Sequence, residues 1–236
     1  MASRLARGPA ARLSRASTAR AAAPSSTALG TAYELACLSW LTDRPLGLTH
    51  TVKMGGAGDK GVDLRGRWSG RPLLPDGEGR QGATGAARFT AIVQCKAYAE
   101  KVQPAVVREL EGTLAAQAQR RPSFSTSSFS SPSLPPSRTA LTPVAFLLTL
   151  SGFSAEAIKH ANASRLPLSL LHLRPREQGK LQEAAKAGQR GRLSPADMEL
   201  VSASYNVALR RLVEAEGQRV EELEREAVEK AALAAG

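Results

Sequence analysis

Aromatic residues are scarce in this chain: Phe, Tyr and Trp make up 4% of 236 residues, against 42% hydrophobic residues overall. A core of ordinary size is available, but Leu, Val and Ala must build it. Cysteine is nearly absent, with Cys37 and Cys95 as the two examples. Each lies in an apolar run without a second Cys or a His at ligand spacing. That excludes a disulfide framework and argues against zinc; both read as small buried residues. No apolar run approaches the ~18 residues needed to cross a bilayer, so no membrane span is expected. Acid is missing from the N-terminus, where the first carboxylate is Glu34.

The acid-free segment 1–29 is rich in Ser and Ala and carries Arg4, Arg7, Arg12, Arg15 and Arg20. That is the composition of an organelle transit peptide, a positive segment drawn to an anionic membrane and a negative-inside potential. The central apolar block of a secretory signal is missing. A nuclear or nucleic-acid-binding arm is the rival reading. Residues 1–29 are therefore expected to lie outside the fold. Net charge is +11 with a pI near 10.3, and the chain stays basic without those arginines. Such an excess favours polyanionic partners, nucleic acid or an anionic membrane surface.

Periodicity then supplies the elements. Residues 30–41 predict a helix, with Leu29, Tyr33, Ala36, Cys37, Trp40 and Leu41 at helical spacing. Residues 49–54 and 62–68 predict two strands around a glycine turn. Residues 89–99 predict a third, with Gln94 and Lys96 on one face and Cys95 on the other. Residues 102–114 form a helix with Pro104 in its first turn. The apolar run 142–152 predicts a strand covered on both faces. Ser154 caps a short helix over 155–163, and 167–173 is a further buried strand. Residues 174–193 are expected to be a basic linker. The box Ser194-Pro195-Ala196-Asp197 is expected to open a long C-terminal helix over 194–235. The stretches 69–88 and 116–141 read as insertions, the second holding the Ser/Pro-rich block 120–138.

GAGDKG, residues 56–61, satisfies G-x-G-x-x-G. A dinucleotide loop must open a helix whose N-terminus meets the phosphate, whereas VDLRGRW has strand periodicity. A P-loop fails as well, since Lys60 precedes Gly61 and no Ser or Thr follows it. The glycines instead shape a turn that delivers Asp63 to the start of a strand.

With that strand paired to the next, Asp63, Gln94 and Lys96 can converge, and Glu34 on the first helix is a fourth candidate. A carboxylate and an amide or carbonyl oxygen suit Mg²⁺ (or Mn²⁺), which prefers oxygen ligands and keeps several waters. Asp63, Gln94 and Glu34 are the candidate metal ligands. Lys96 can orient the attacking water or offset charge growing on a phosphate. The blander alternatives are a turn residue at Asp63, a satisfied polar group at Gln94, and surface positions at Lys96 and Glu34.

The order of a Glu-bearing helix, GDKGVDL, IVQCKAYAEKVQPAVVRELEGTL, FLLTLSGFSAEAIKHA and SLLHL resembles the Mrr-type branch of the restriction endonuclease-like, PD-(D/E)xK nuclease superfamily over about residues 30–173. Asp63 matches its strand-start aspartate, Gln94-Cys95-Lys96 its Q-x-K strand and Glu34 its first-helix acid. Together with the transit-like N-terminus, the chain is similar to the fungal mitochondrial "required for respiratory growth" group that carries this nuclease-like domain. The resemblance implies an α/β fold with a central mixed sheet of about four or five strands flanked by helices, a metal-dependent site at the sheet edge and a mitochondrial matrix location. Gln94 stands where most of the superfamily has an acid, which makes Glu34 more important as a compensating charge.

The leading expectation is a Mg²⁺-dependent nuclease acting on nucleic acid, DNA in the first instance. The alternative is a catalytically inactive nuclease-fold binding or assembly protein. In a third reading the C-terminal helix docks a protein partner or a second copy of the chain.

Overall fold

A computed structural model describes residues 23–43, 48–54, 61–70, 87–119, 141–188 and 191–234. Six strands form one mixed sheet in sequence order: β1 (Leu48–Lys53), β2 (Leu64–Trp68), β3 (Phe89–Lys96), β4 (Thr142–Thr149), β5 (Leu168–Pro175) and β6 (Met198–Tyr205). The first three pair antiparallel, β3, β4 and β5 run parallel, and β6 returns antiparallel to β5. Parallel neighbours need a crossover. Here α2 (Pro104–Gln119) joins β3 to β4 and α3 (Ala155–Ala163) joins β4 to β5.

The crossover helices cover one face of the sheet. Val107, Leu110 and Leu114 of α2 and Ala157 and Ala161 of α3 pack there with Ile92, Ala145, Leu147, Leu168 and Leu170. The other face carries α1 (Ser26–Asp43), α4 (Lys180–Ala187) and the start of α5 (Val207–Ala234). Tyr33, Cys37, Trp40 and Leu41 close on Leu64, Trp68, Val93, Cys95, Phe146 and Leu148. The few aromatics concentrate at this point: the Trp68 ring lies 5.5 Å from Phe89 and 5.2 Å from Phe146, the latter edge-on.

Several boundaries differ from the sequence expectation. The helix predicted from residue 30 begins at Ser26, after the Ser25 hydroxyl accepts from Ala28 N, so 26–29 belong to the fold; residues 1–22 lie outside the described set. The sheet has six strands rather than four or five. The sixth is MELVSASY, which the C-terminal helix predicted over 194–235 would absorb. The capping box is real, with Ser194 N and Oγ both donating to Asp197 Oδ2 at 2.9 and 2.7 Å. It closes a single 3₁₀ turn, Pro195–Asp197, because the same start signal serves either helix type. Pairing with β5 then draws the next eight residues into the sheet, and the α-helix begins at Val207.

The expected linker 174–193 contains α4, whose Leu181, Ala184 and Ala185 are buried while its charges face out. With one large apolar residue, so short a stripe carries little signal. The expected insertion 116–141 starts late, since α2 runs to Gln119; residues 120–140, with the Ser/Pro block, lie outside the described residues, as do 71–86 of the first insertion. Asn206 locks the top of α5 to both neighbours. Its Oδ1 accepts from Leu168 N and Leu209 N at 3.2 and 2.9 Å, and its Nδ2 donates to Ala161 O and Leu166 O at 3.0 and 2.7 Å.

Candidate functional site

β3 builds the site by its parity. Gln94 and Lys96 face the α2 side, and Cys95 between them faces α1. Asp63 precedes β2 and extends its pairing with β3. Its N donates to Val93 O at 3.0 Å, and its Oδ2 accepts from Cys95 N at 2.6 Å. The carboxylate thus takes a ladder position that the backbone of β2 does not reach. One hydrogen bond fixes it against the middle residue of Gln94-Cys95-Lys96.

Gln94 is 1% exposed. Its Nε2 donates to Glu109 Oε1 at 3.1 Å, while its Oε1 is buried and accepts no hydrogen bond among the described residues. The orientation follows from charge: with the amide reversed, an oxygen would face a carboxylate. Leaving a buried acceptor unsatisfied costs about 1–3 kcal/mol, so this oxygen calls for a partner, a water or a cation. Glu109 also lies 3.7 Å from Lys96 Nζ. Lys96 is itself mostly buried, with its Nζ 5.9 Å from the Tyr98 ring centre.

Gly61, the last glycine of GAGDKG, meets the site directly. It has φ +76°, and a Cβ there would lie 3.1 Å from Gln94 Nε2 and 3.4 Å from Glu109 Oε1. The glycine serves a left-handed turn and a close approach to the amide; residues 55–60 of the same turn lie outside the described set.

Glu34 comes from the other layer. It rises from α1 and forms an ion pair with Lys53 Nζ of β1 at 2.8 Å. Its negative charge and that of Asp63 both reach the Cys95 thiol. That thiol is held well above its ordinary range by a hydrogen bond with Cys37, then by burial, then by the charges of Cys37, Asp63 and Glu34. The structure therefore groups Gln94, Lys96 and Glu109 on one face, sets Asp63 at the strand edge beside them, and keeps Glu34 beneath with a cation of its own.

Sequence reasoning misses Glu109. It lies inside the VRELEG helix, on the rim of the apolar stripe Val107, Leu110 and Leu114, where a side chain can arch back over β3. That rim position is the available signal.

The donor set fits a hydrated divalent cation. A hard ion of the Mg²⁺ class takes one or two protein oxygens and completes its shell with water and substrate phosphate. The buried Gln94 Oε1 and the Asp63 carboxylate are of that kind. Among the described residues no group of three or more His, Cys, Asp or Glu side chains could hold a metal ion, so a closed all-protein cage is not what these residues offer. Two cavities lie apart from these residues, about 470 Å³ beside Glu111, His160 and Arg165, and about 250 Å³ beside Trp68, Tyr205 and Val213. Gln94 itself is buried, on a strand inside the sheet. No helix among the described residues is long and apolar enough to cross a membrane.

The model of the family described as "Required for respiratory growth protein 7" matches residues 25–190. The match starts within a residue of α1 and takes in all of Glu34, Asp63, Gln94, Lys96 and Glu109. No curated protein and no solved structure matches the chain. With well over half of its length covered, the chain belongs to the Required for respiratory growth protein 7 family.

Proposed function

We infer that the Asp63–Gln94–Lys96–Glu109 edge is the seat of metal-dependent phosphodiester hydrolysis on nucleic acid, performed in the mitochondrial matrix by a restriction endonuclease-like core. The observation that carries this reading is the Gln94 amide. It is buried, pinned on its nitrogen side by Glu109, which also faces Lys96, and its oxygen accepts no hydrogen bond among the described residues; the next residue, Cys95, is the one that Asp63 grips.

Each residue has a task that its position supports. Asp63 and Gln94 Oε1 would hold a Mg²⁺ or Mn²⁺ ion, which when bound offsets charge on the phosphate and acidifies a coordinated water. Lys96 would orient the attacking water and balance the negative charge that grows on the phosphoryl oxygens. Glu109 keeps the amide turned and holds Lys96 ready, 3.7 Å away. Glu34 adds negative charge from below and would act through water rather than as an inner ligand, because Lys53 already holds its carboxylate.

The test is cleavage by the purified full chain, with Mg²⁺ or Mn²⁺, of plasmid, branched and single-stranded substrates, beside Lys96→Ala and a chelator control. Metal-dependent product that disappears in the variant supports the reading; no product from any substrate with either ion overturns it. A second reading has its own observation: Lys96 and Glu34 each already have an opposite charge, as in a site kept for binding alone. In that case nucleic acid is held equally well in chelator and no strand is cut.

A further inference from the structure

Strand β2 alternates strictly. Leu64, Gly66 and Trp68 are buried, and Arg65 and Arg67 are exposed. The register sets Arg65 opposite Ile92 and Arg67 opposite Thr90, so both arginines stand on the sheet face that carries Gln94 and Lys96. On this face α2 packs over β3 and β4 through Ile92, Ala145 and Leu147. The neighbouring side chains of β1 and β2 stay open, with Val52 53% exposed beside Arg65. The result is a shelf with α2 as its wall and Asp63 at its end.

Arg65 and Arg67 are the cations that β2 places on that shelf. Arg65 Nη2 donates to Gln117 Oε1 on α2 at 3.2 Å, which orients its guanidinium without neutralising it. Among the described residues no carboxylate forms an ion pair with Arg65 or Arg67. A guanidinium binds phosphate oxygens in pairs. Residues two apart on a strand are ~7 Å apart, so Arg67, Arg65 and Asp63 are successive steps along one line.

We propose that Arg65 and Arg67 form a phosphate-binding rail that carries a nucleic-acid backbone along β2 to the Asp63 edge. The proposal rests on the nucleic-acid reading of that edge and names the surface that would hold the polymer. Nucleic acid fits the shelf better than an anionic membrane does, because its surroundings are polar: Thr90 and Gln117 flank the arginines, and of the neighbouring apolar groups Val52 is exposed while Met54 packs against the core. An interfacial membrane surface needs a larger apolar face.

The experiment measures binding of fluorescein-labelled single-stranded and duplex DNA to the full chain, in chelator, across a salt series. Removing one cation that neutralises a phosphate lowers the magnitude of the log K against log salt slope by about 0.7 for single strands and 0.9 for duplex. For the R65Q/R67Q double variant the slope is expected to fall by about 1.4 or 1.8, twice those values, with binding at least fivefold weaker. R65K/R67K, which keeps both charges and guards against a folding artefact, is expected to retain the wild-type slope. K186Q/R211Q removes two exposed cations from the opposite layer and is expected to leave the slope unchanged. An unchanged slope in R65Q/R67Q, or an equal fall in K186Q/R211Q, overturns the rail. So does R65Q/R67Q losing binding to phosphatidylserine vesicles while keeping its grip on DNA. A chain that binds through the rail but never cleaves keeps this proposal and loses the hydrolase; one that cleaves with an unaltered slope does the reverse.

Discussion

Gln94 Nε2 donates to Glu109 Oε1 across 3.1 Å, and that bond decides which way the amide oxygen turns. Glu109→Ala removes the anchor and lets the amide rotate. The expected result is a roughly 10- to 100-fold fall in cleavage, with a thermal midpoint within a few degrees of wild type because Glu109 is half exposed. Glu109→Gln should retain more activity, since its amide oxygen still accepts from Gln94. Steady-state cleavage rates beside thermal melts of both variants check this; equal falls in the two would remove the anchor role.

Asp63 and Lys96 should separate activity from stability. Lys96→Ala is expected to lower cleavage by ~10²-fold or more while leaving the fold intact. Asp63→Ala is expected to do the same and also to destabilise by about 1–3 kcal/mol, because Cys95 N loses its acceptor. Urea melts of the two variants give the comparison.

Asn206 is a purely structural test. It is 1% exposed and joins α5 to β5 and to the end of α3 through four bonds at or below 3.2 Å. Asn206→Ala strands several buried donors and acceptors at once and is expected to cost at least about 3 kcal/mol. For a chain of this size that lowers the midpoint by roughly 10 °C. Calorimetry would show it, with DNA binding retained below the melt.

Stability should fall at both ends of the pH scale for identifiable reasons. Asp197 is held at about 2 by the hydrogen bond from Lys180, then by those from Ser194. Its folded value is below its ordinary 3.8, so its contribution is complete above that value and is lost as pH falls from 3.8 towards 2. Asp197→Asn should flatten that acid limb. Tyr33 is raised by burial and then by Cys37 and Cys95, and Cys95 by its bond to Cys37 and then by burial. Here the unfolded chain ionises first, so stability is complete below the ordinary values of 9.0 and 10.0 and is lost as pH rises past them. Thermal midpoints from strongly acidic to strongly alkaline buffer test both signs.

Chelation is expected to abolish cleavage and to leave the thermal midpoint nearly unchanged. A cation shared with the substrate contributes little to the empty fold, and no group of three ligating side chains is present among the described residues. A midpoint that drops by about ten degrees in EDTA would point to a structural metal instead.

Much of this fold is legible in the sequence because β4 and β5 are largely apolar runs, β3 alternates, and α2 carries a clean stripe. Ser154 caps α3, accepting from Ala157 N at 3.1 Å, where the sequence places it. The C-terminal third is harder to read because Ser194 and Asp197 form a true capping box that serves one 3₁₀ turn, and a strand paired at the sheet edge keeps little alternation. At the site, Asp63 and the Gln94/Lys96 parity follow from strand period alone. Glu109 stays hidden because helix periodicity marks buried positions, not those that bend over a neighbouring strand. Glu34 looks free in the sequence because the chain offers no cation at helical spacing; Lys53 reaches it from another element.

The side-to-side alternation of β3 has a wider consequence. Gln94 and Lys96 share their peptide units with Cys95, whose thiol is wedged against Cys37 under α1. A bulkier group at position 37 would press on sulfur, tilt the tripeptide and move both neighbours, although nothing at 37 could touch a substrate. Inherited or engineered lesions in that hidden seam would then pass for defects in chemistry.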